Sequence, residues 1–169
     1  GMTIVLADNN AKGTATSQDQ GTDDIYGIEH IKGSDLENDT ITGNSANNSI
    51  WGQGGDDTIY AIAGDNYLDG GIGADTIYAG VGADLLIGES GNDTFMTYYN
   101  DSGVNEAAKF GATNTIYGGN WNGTTSSASG SDTVDYGSII VNTYNIYADL
   151  SGTSNNVQIR TSTTTVHKS

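Results

Sequence analysis

The chain has no cysteine and no proline. Without cysteine there can be no disulfide framework, no thiolate metal site and no thiol chemistry. No apolar run approaches the roughly 18 residues that a membrane-spanning helix needs. Positive charge is scarce: 5 Lys and Arg stand against 21 Asp and Glu in 169 residues, a formal net charge of −16. That balance lacks the basic footprint of a nucleic-acid binder, and an anionic membrane surface would repel it. Apolar residues make up only 35%. Composition of this kind usually marks a disordered chain. What is plentiful is glycine, 25 in all, and the order of the residues overrides the composition.

From Ser34 to Met96 the chain repeats every nine residues: SDLENDTIT (34–42), GNSANNSIW (43–51), GQGGDDTIY (52–60), AIAGDNYLD (61–69), GGIGADTIY (70–78), AGVGADLLI (79–87) and GESGNDTFM (88–96). The sixth position is Asp39, Asn48, Asp57, Asn66, Asp75, Asp84 and Asp93, always Asp or Asn. The eighth is Ile41, Ile50, Ile59, Leu68, Ile77, Leu86 and Phe95, always large and apolar. The fourth is glycine in the last five units, Gly55, Gly64, Gly73, Gly82 and Gly91, after Glu37 and Ala46. Repeats with such periods indicate a solenoid rather than a globule.

The physics of one unit follows from these positions. Positions seven to nine read polar, apolar, variable, which is a short strand with one inward side chain. Positions one to six form a glycine-rich turn in which the backbone can take positive φ. One strand and one turn reverse the chain, so two units, 18 residues, complete a coil. Stacked coils place equivalent strands about 4.8 Å apart in parallel sheets. Two facing stacks result, Ile41, Ile59, Ile77 and Phe95 in one and Ile50, Leu68 and Leu86 in the other. Such a core is thin, and something further must hold the coils and neutralise their carboxylates.

Residues 18 apart lie above one another on the same edge. One edge carries Asp39, Asp57, Asp75 and Asp93; the other carries Asn48, Asn66 and Asp84. A neighbouring pair of aspartates can clamp a cation between two turns. Carbonyls of the turn glycines, among them Gly52, Gly55, Gly70, Gly73 and Gly91, complete an all-oxygen shell. Hard oxygen donors select calcium, whereas magnesium demands a tighter octahedron and keeps its waters. The amide of an asparagine brings no charge. The expectation is therefore asymmetric: three good sites, between Asp39 and Asp57, Asp57 and Asp75, and Asp75 and Asp93, against a weak or empty gap between Asn48 and Asn66 and a marginal one between Asn66 and Asp84.

Units such as GGIGADTIY and GESGNDTFM resemble the glycine-aspartate nonapeptide of RTX proteins, a calcium-binding β-helix repeat. The resemblance is strong over Ser34–Met96. It extends loosely to Thr3–Ala7 and Gly21–Ser34 before the repeat, and to Ser131–Tyr136 and Asn145–Ser151 after it. It implies an all-β, right-handed parallel β-roll, a β-solenoid with β-rich capping flanks. It also implies calcium between turns, type I secretion and folding outside the cell. Departures from the pattern are Ser34, Ala61 and Ala79 at the first position, Glu37 and Ala46 at the fourth, and Asn48 and Asn66 at the sixth.

The expected organisation is a lead-in or cap over residues 1–33, the calcium-binding roll over 34–96, and an irregular β cap over 97–169 that continues into a larger tandem array. Asn105–Phe110 could form one helical turn. The phase returns at Asn114–Tyr117 and again at Asp132–Asp135, 18 residues on, which reads as one full coil. Thr161–Thr165 reads as a tail or an edge strand.

Enzyme motifs are absent. His30 and His167 are far apart and form no HExxH pair, and no lysine lies between Lys32 and Lys109 to complete a phosphate-binding loop. Tyr67 occupies a ligand position in the EF-hand-like Asp65–Gly70 stretch. Adjacent carboxylates such as Asp56 and Asp57 suit calcium and solubility better than glycosidase chemistry. The function expected is a non-enzymatic calcium-binding module, monomeric, of a secreted bacterial protein of adhesin or surface-layer type, located outside the cell or on its surface. An alternative is the accessory roll of a polysaccharide-modifying enzyme, with Tyr60 and Tyr78 contacting the glycan. On the other face Trp51, Asp69 and Ile87 form no coherent stripe.

Overall fold

The structure is a computed structural model that describes residues 1–96, 114–121, 126–127, 132–135 and 158–160. Among these residues every regular element is a strand. In chain order they are β1 (Met2–Val5), β2 (Gly13–Ser17), β3 (Gly21–Ile25), β4 (His30–Lys32), β5 (Thr40–Thr42), β6 (Ser49–Gly54), β7 (Thr58–Tyr60) and β8 (Tyr67–Ile72). They continue as β9 (Thr76–Tyr78), β10 (Leu85–Ser90), β11 (Thr94–Met96), β12 (Thr115–Tyr117), β13 (Asn120–Trp121), β14 (Ser126–Ser127), β15 (Thr133–Asp135) and β16 (Gln158–Arg160).

From β4 to β12 alternate strands go to alternate sheets, as a two-unit coil requires. One sheet runs β16-β15-β11-β9-β7-β5-β1-β2-β3, and a second runs β12-β10-β8-β6-β4. Within the repeat every pairing is parallel and joins equivalent positions one coil apart: Thr40 to Thr58, Thr58 to Thr76 and Thr76 to Thr94 in one sheet, Ser49 to Tyr67 and Tyr67 to Leu85 in the other. The molecule is a β-solenoid of stacked coils, as the nine-residue phase requires.

The eighth-position side chains fill the space between the sheets. Ile41, Ile50, Ile59, Leu68, Ile77, Leu86 and Phe95 are all 0% exposed. The two stacks run on past the repeat. Ile4 and Val134 continue one, and Ile31 and Ile116 continue the other. The phase does return at both Asn114–Tyr117 and Asp132–Asp135, since Leu85 pairs with Thr115 and Thr94 with Thr133, but β12 and β15 stand in opposite sheets, so their 18-residue spacing is half a coil with a longer connection and not the full coil expected. The stretches Asn105–Phe110, Asn145–Ser151 and Thr161–Thr165 lie outside the described residues.

The lead-in has its own logic. β1 lies parallel to β5, with Thr3 beside Thr40, and then turns back antiparallel into β2 and β3. Solenoids need atypical end units to close their cores, and this antiparallel meander is one. β4 is the first rung of the second sheet, but His30 pairs with Ser49, 19 residues on rather than 18. The turn from Gly33 to Asp39 therefore holds one extra residue. Gly33, not Ser34, stands where Gly52 stands one coil later, and the apparent departure at Ser34 is an insertion.

Fourth-position glycines are dictated by the stacking. Gly55, Gly73 and Gly91 have φ of +114°, +137° and +141°, and a Cβ on Gly73 or Gly91 would strike the carbonyl of the glycine one coil earlier. Glu37 and Ala46, in the first coil, do not take positive φ, which is why that coil tolerates side chains there.

Because each inward side chain is one rung of a narrow two-stack core, removing one opens a gap that neighbours cannot collapse to fill. Leu68→Ala in the folded protein is expected to cost about 3 kcal/mol, read as a lowered urea midpoint at unchanged slope.

Candidate metal centre

The sixth-position side chains are buried, not presented to solvent. Asp39, Asp57, Asp75 and Asp93 are at most 2% exposed, as is Asp132 in the coil beyond. Each uses one oxygen as a splint between coils. The Asp39 N–H donates to Oδ1 of Asp57 at 2.7 Å, Asp57 to Asp75 at 2.8 Å, Asp75 to Asp93 at 3.0 Å and Asp93 to Asp132 at 3.1 Å. The Met2 N–H closes the first rung by donating to Oδ1 of Asp39.

The second oxygen is different. Oδ2 of Asp57, Asp75, Asp93 and Asp132 is buried and has no hydrogen-bond partner. Oδ2 of Asp39 is engaged, accepting from the Ser34 N–H and, at 3.0 Å, from its hydroxyl. The inserted serine thus occupies the first of the aspartate positions.

Beside each orphaned oxygen is a glycine whose missing Cβ leaves room. A Cβ on Gly52 would overlap both Oδ2 of Asp57 and the carbonyl of Gly70; on Gly88 it would overlap Oδ2 of Asp93 and approach the carbonyl of Gly118; on Gly70 and Gly118 it would overlap the carboxylates of Asp75 and Asp132. Carboxylate and main-chain oxygens converge there without a donor between them. Among the described residues no three His, Asp or Glu side chains form a conventional metal cluster, so a cation here would depend on backbone carbonyls. An all-oxygen set of carboxylate and carbonyl groups fits calcium.

The asparagine edge solves the same problem with protons. The splint continues, with Asn48 N–H to Oδ1 of Asn66 at 2.8 Å, Asn66 to Asp84 at 2.9 Å and Asp84 to Asn114 at 2.9 Å. The Asn66 amide nitrogen also donates to the carbonyls of Ala63 and Gly64 and to Oδ1 of Asp84, at 3.2, 2.9 and 2.9 Å. The Asn48 amide donates to Oδ1 of Asn44 at 3.2 Å. Ala61 and Ala79 hold the first position on this edge and are fully buried, so methyl groups fill the space that glycine leaves open opposite. Only Asp84 keeps an orphaned Oδ2 here.

Burial is the main electrostatic fact. It raises Asp57, Asp84 and Asp93 to about 6 and Asp75 to about 7, against the lowering effect of the splinting N–H groups. For Asp75 the flanking Asp93 and Asp57 carboxylates raise it further. Asp132 is raised for the same first reason. A column of buried carboxylates with free oxygens is unfavourable as it stands, and a divalent cation bound there would offset both the desolvation cost and the mutual repulsion.

A second ladder escaped the sequence reading. Fifth-position side chains reach the opposite way: Asp56 N–H donates to Asn38 Oδ1 and Ala74 N–H to Asp56 Oδ1, and on the other edge Asp65 N–H donates to Asn47 Oδ1 and Ala83 N–H to Asp65 Oδ1, all at 2.8 to 2.9 Å. The recurrence of Asn, Asn, Asp, Asp at that position was the available signal. Gly88 and Asp132 were also legible, Gly88 by the nine-residue phase and Asp132 by the Asp-Thr-Val-Asp sequence. The tyrosine pair is where the register predicts, but the Tyr60 and Tyr78 rings stack on each other, 4.5 Å apart at 15°, so each turns one face to its neighbour.

Comparison with known protein families matches residues 34–61 and 60–95 to the RTX calcium-binding nonapeptide repeat. Neither the curated proteins nor the solved structures gave a match.

Proposed function

From the premise that residues 34–95 are RTX nonapeptide repeats, which bind calcium, we propose that the ions sit along the aspartate edge and that their binding drives folding. Asp57, Asp75 and Asp93 would hold them through the orphaned oxygens, with Asp39 and Asp132 at the ends of the row and turn carbonyls such as Gly52 and Gly70 alongside. Gly55, Gly73 and Gly91 shape the turns. Asp84 offers a weaker position on the other edge. The roll would span 34–96 between the flanks 1–33 and 97–169.

The observation that carries this reading is the set of buried carboxylate oxygens with no donor. An unsatisfied buried charge is among the least tolerable features of a folded chain, and a cation is the partner these surroundings lack. The chain would serve as a structural, non-catalytic module of a larger secreted protein of adhesin or surface-layer type. In the calcium-poor cell interior it would remain unfolded and exportable; outside, calcium would fold it.

Counting bound calcium by titration calorimetry tests the assignment. Asp75→Asn is expected to bind fewer ions than the wild type, and Asn66→Asp, which exchanges an amide donor for a second carboxylate beside Asp84, to bind more. Equal stoichiometry in all three proteins would remove the edge assignment.

A further inference from the structure

The outer face of the second sheet carries a cluster that the linear pattern hides. Lys32, Trp51 and Asp69 are neighbours in one row across β4, β6 and β8. Tyr67, one row away, sets its ring 5.5 Å from that of Trp51 at 42°. Its hydroxyl donates to Oδ2 of Asp69 at 3.2 Å, and the Lys32 ammonium stands 5.8 Å from the Trp51 ring centroid. The aromatic pair is therefore held in place before any ligand arrives.

The third row is more telling. Gln53, Gly71 and Glu89 are in register, and the backbone there is left-handed: φ is +81° at Gln53, +104° at Gly71 and +67° at Glu89. Glycine takes that conformation freely, whereas any residue with a Cβ is strained there. Apart from two turn asparagines, Gln53 and Glu89 are the only non-glycine residues with positive φ among those described. Both flank this cluster with long polar side chains where glycine would be more stable. Strain of this kind collects at functional sites. On the far side the chain after β12 doubles back as β13 against β10, and outward-facing Ile87 is only 1% exposed, which gives the row a wall.

We propose that this face, formed by Lys32, Trp51, Gln53, Tyr67, Asp69 and Glu89, is a binding site for a neutral oligosaccharide. The charge pattern selects that class. Lys32 repels a cation, and Asp69 and Glu89 repel an anion. Sugar hydroxyls both donate and accept, so they use an ammonium, an amide and two carboxylates together, while the apolar face of a pyranose ring lies on Trp51. The site is separate from the calcium row, so its failure and that of the calcium assignment are distinguishable.

The test uses the whole chain in saturating calcium. Cellohexaose and mannohexaose serve as neutral probes, oligogalacturonate as the acidic probe and a chitosan oligomer as the cationic one, with binding read by calorimetry. A neutral probe is expected to bind, about tenfold or more weakly to Trp51→Ala, and unchanged to a Tyr60→Ala, Tyr78→Ala double variant. Glu89→Gly is expected to bind more weakly while melting at a higher temperature, a combination that a merely structural glutamate would not give. Absence of binding by both neutral probes, binding that survives Trp51→Ala, or preference for the acidic or the cationic oligomer would each overturn the proposal.

Discussion

Calcium added to metal-stripped protein at neutral pH is expected to turn a coil-like circular dichroism spectrum into a strand spectrum, with a midpoint in the range of about 10⁻⁴–10⁻³ M seen for extracellular modules. The physical reason lies in the Asp57, Asp75 and Asp93 column. Without an ion, folding must bury carboxylates whose Oδ2 atoms have no partner, along the edge of a core only two side-chain stacks wide. With an ion at 100 times its dissociation constant, each site bound only by the folded state contributes about 2.7 kcal/mol. Three such gaps supply about 8 kcal/mol, comparable to the whole stability of a small domain. Magnesium at the same concentration is expected to give little response, because it gives up its waters reluctantly. Identical strand content and melting temperature with and without calcium would end the account.

Acid should partly replace the ion. The folded state raises Asp57, Asp84 and Asp93 to about 6 and Asp75 to about 7 from an ordinary value of 3.8, chiefly through burial. A raised carboxylate pKa means that the native state binds more protons than the unfolded chain. Stability then falls as pH rises between about 4 and 7, and it is regained as pH drops through that window. Metal-free protein is therefore expected to gain strand signal between pH 7.5 and pH 5, a range above the isoelectric point near 4.1 where precipitation would interfere. Calcium should behave oppositely: protons compete for the same oxygens, so its affinity weakens over the same interval. A metal-free spectrum that does not move between the two pH values would show that the buried carboxylates are not what opposes folding.

Much of this was readable in the nine-residue phase. A strict apolar residue at position eight and a strict Asp or Asn at position six specify the coil, the two stacks and the two edges, because each position recurs above itself. The phase could not reveal events between positions. The extra residue in the Gly33–Asp39 turn left Ser34 looking like a degenerate glycine, when its N–H and hydroxyl engage Asp39. Asparagine at Asn66 read as a missing charge; the structure shows it as an active donor to Ala63, Gly64 and Asp84. That Trp51, Asp69 and Ile87 form no coherent stripe is a statement about one row, and contacts between rows lie outside it. Tyr67 comes from the neighbouring row, with its ring beside Trp51 and its hydroxyl on Asp69.

Each coil of the repeat bonds only to the coil before and the coil after, through splints 18 residues apart. Pulled from its two ends, such a stack peels loop by loop instead of rupturing at once, and every loop released pays out about 60 Å of slack. With ions seated along the aspartate edge as proposed, the grip on each loop would be set by the ion content of the surrounding fluid. Such a stack would act as a shock absorber whose stiffness is tuned from outside.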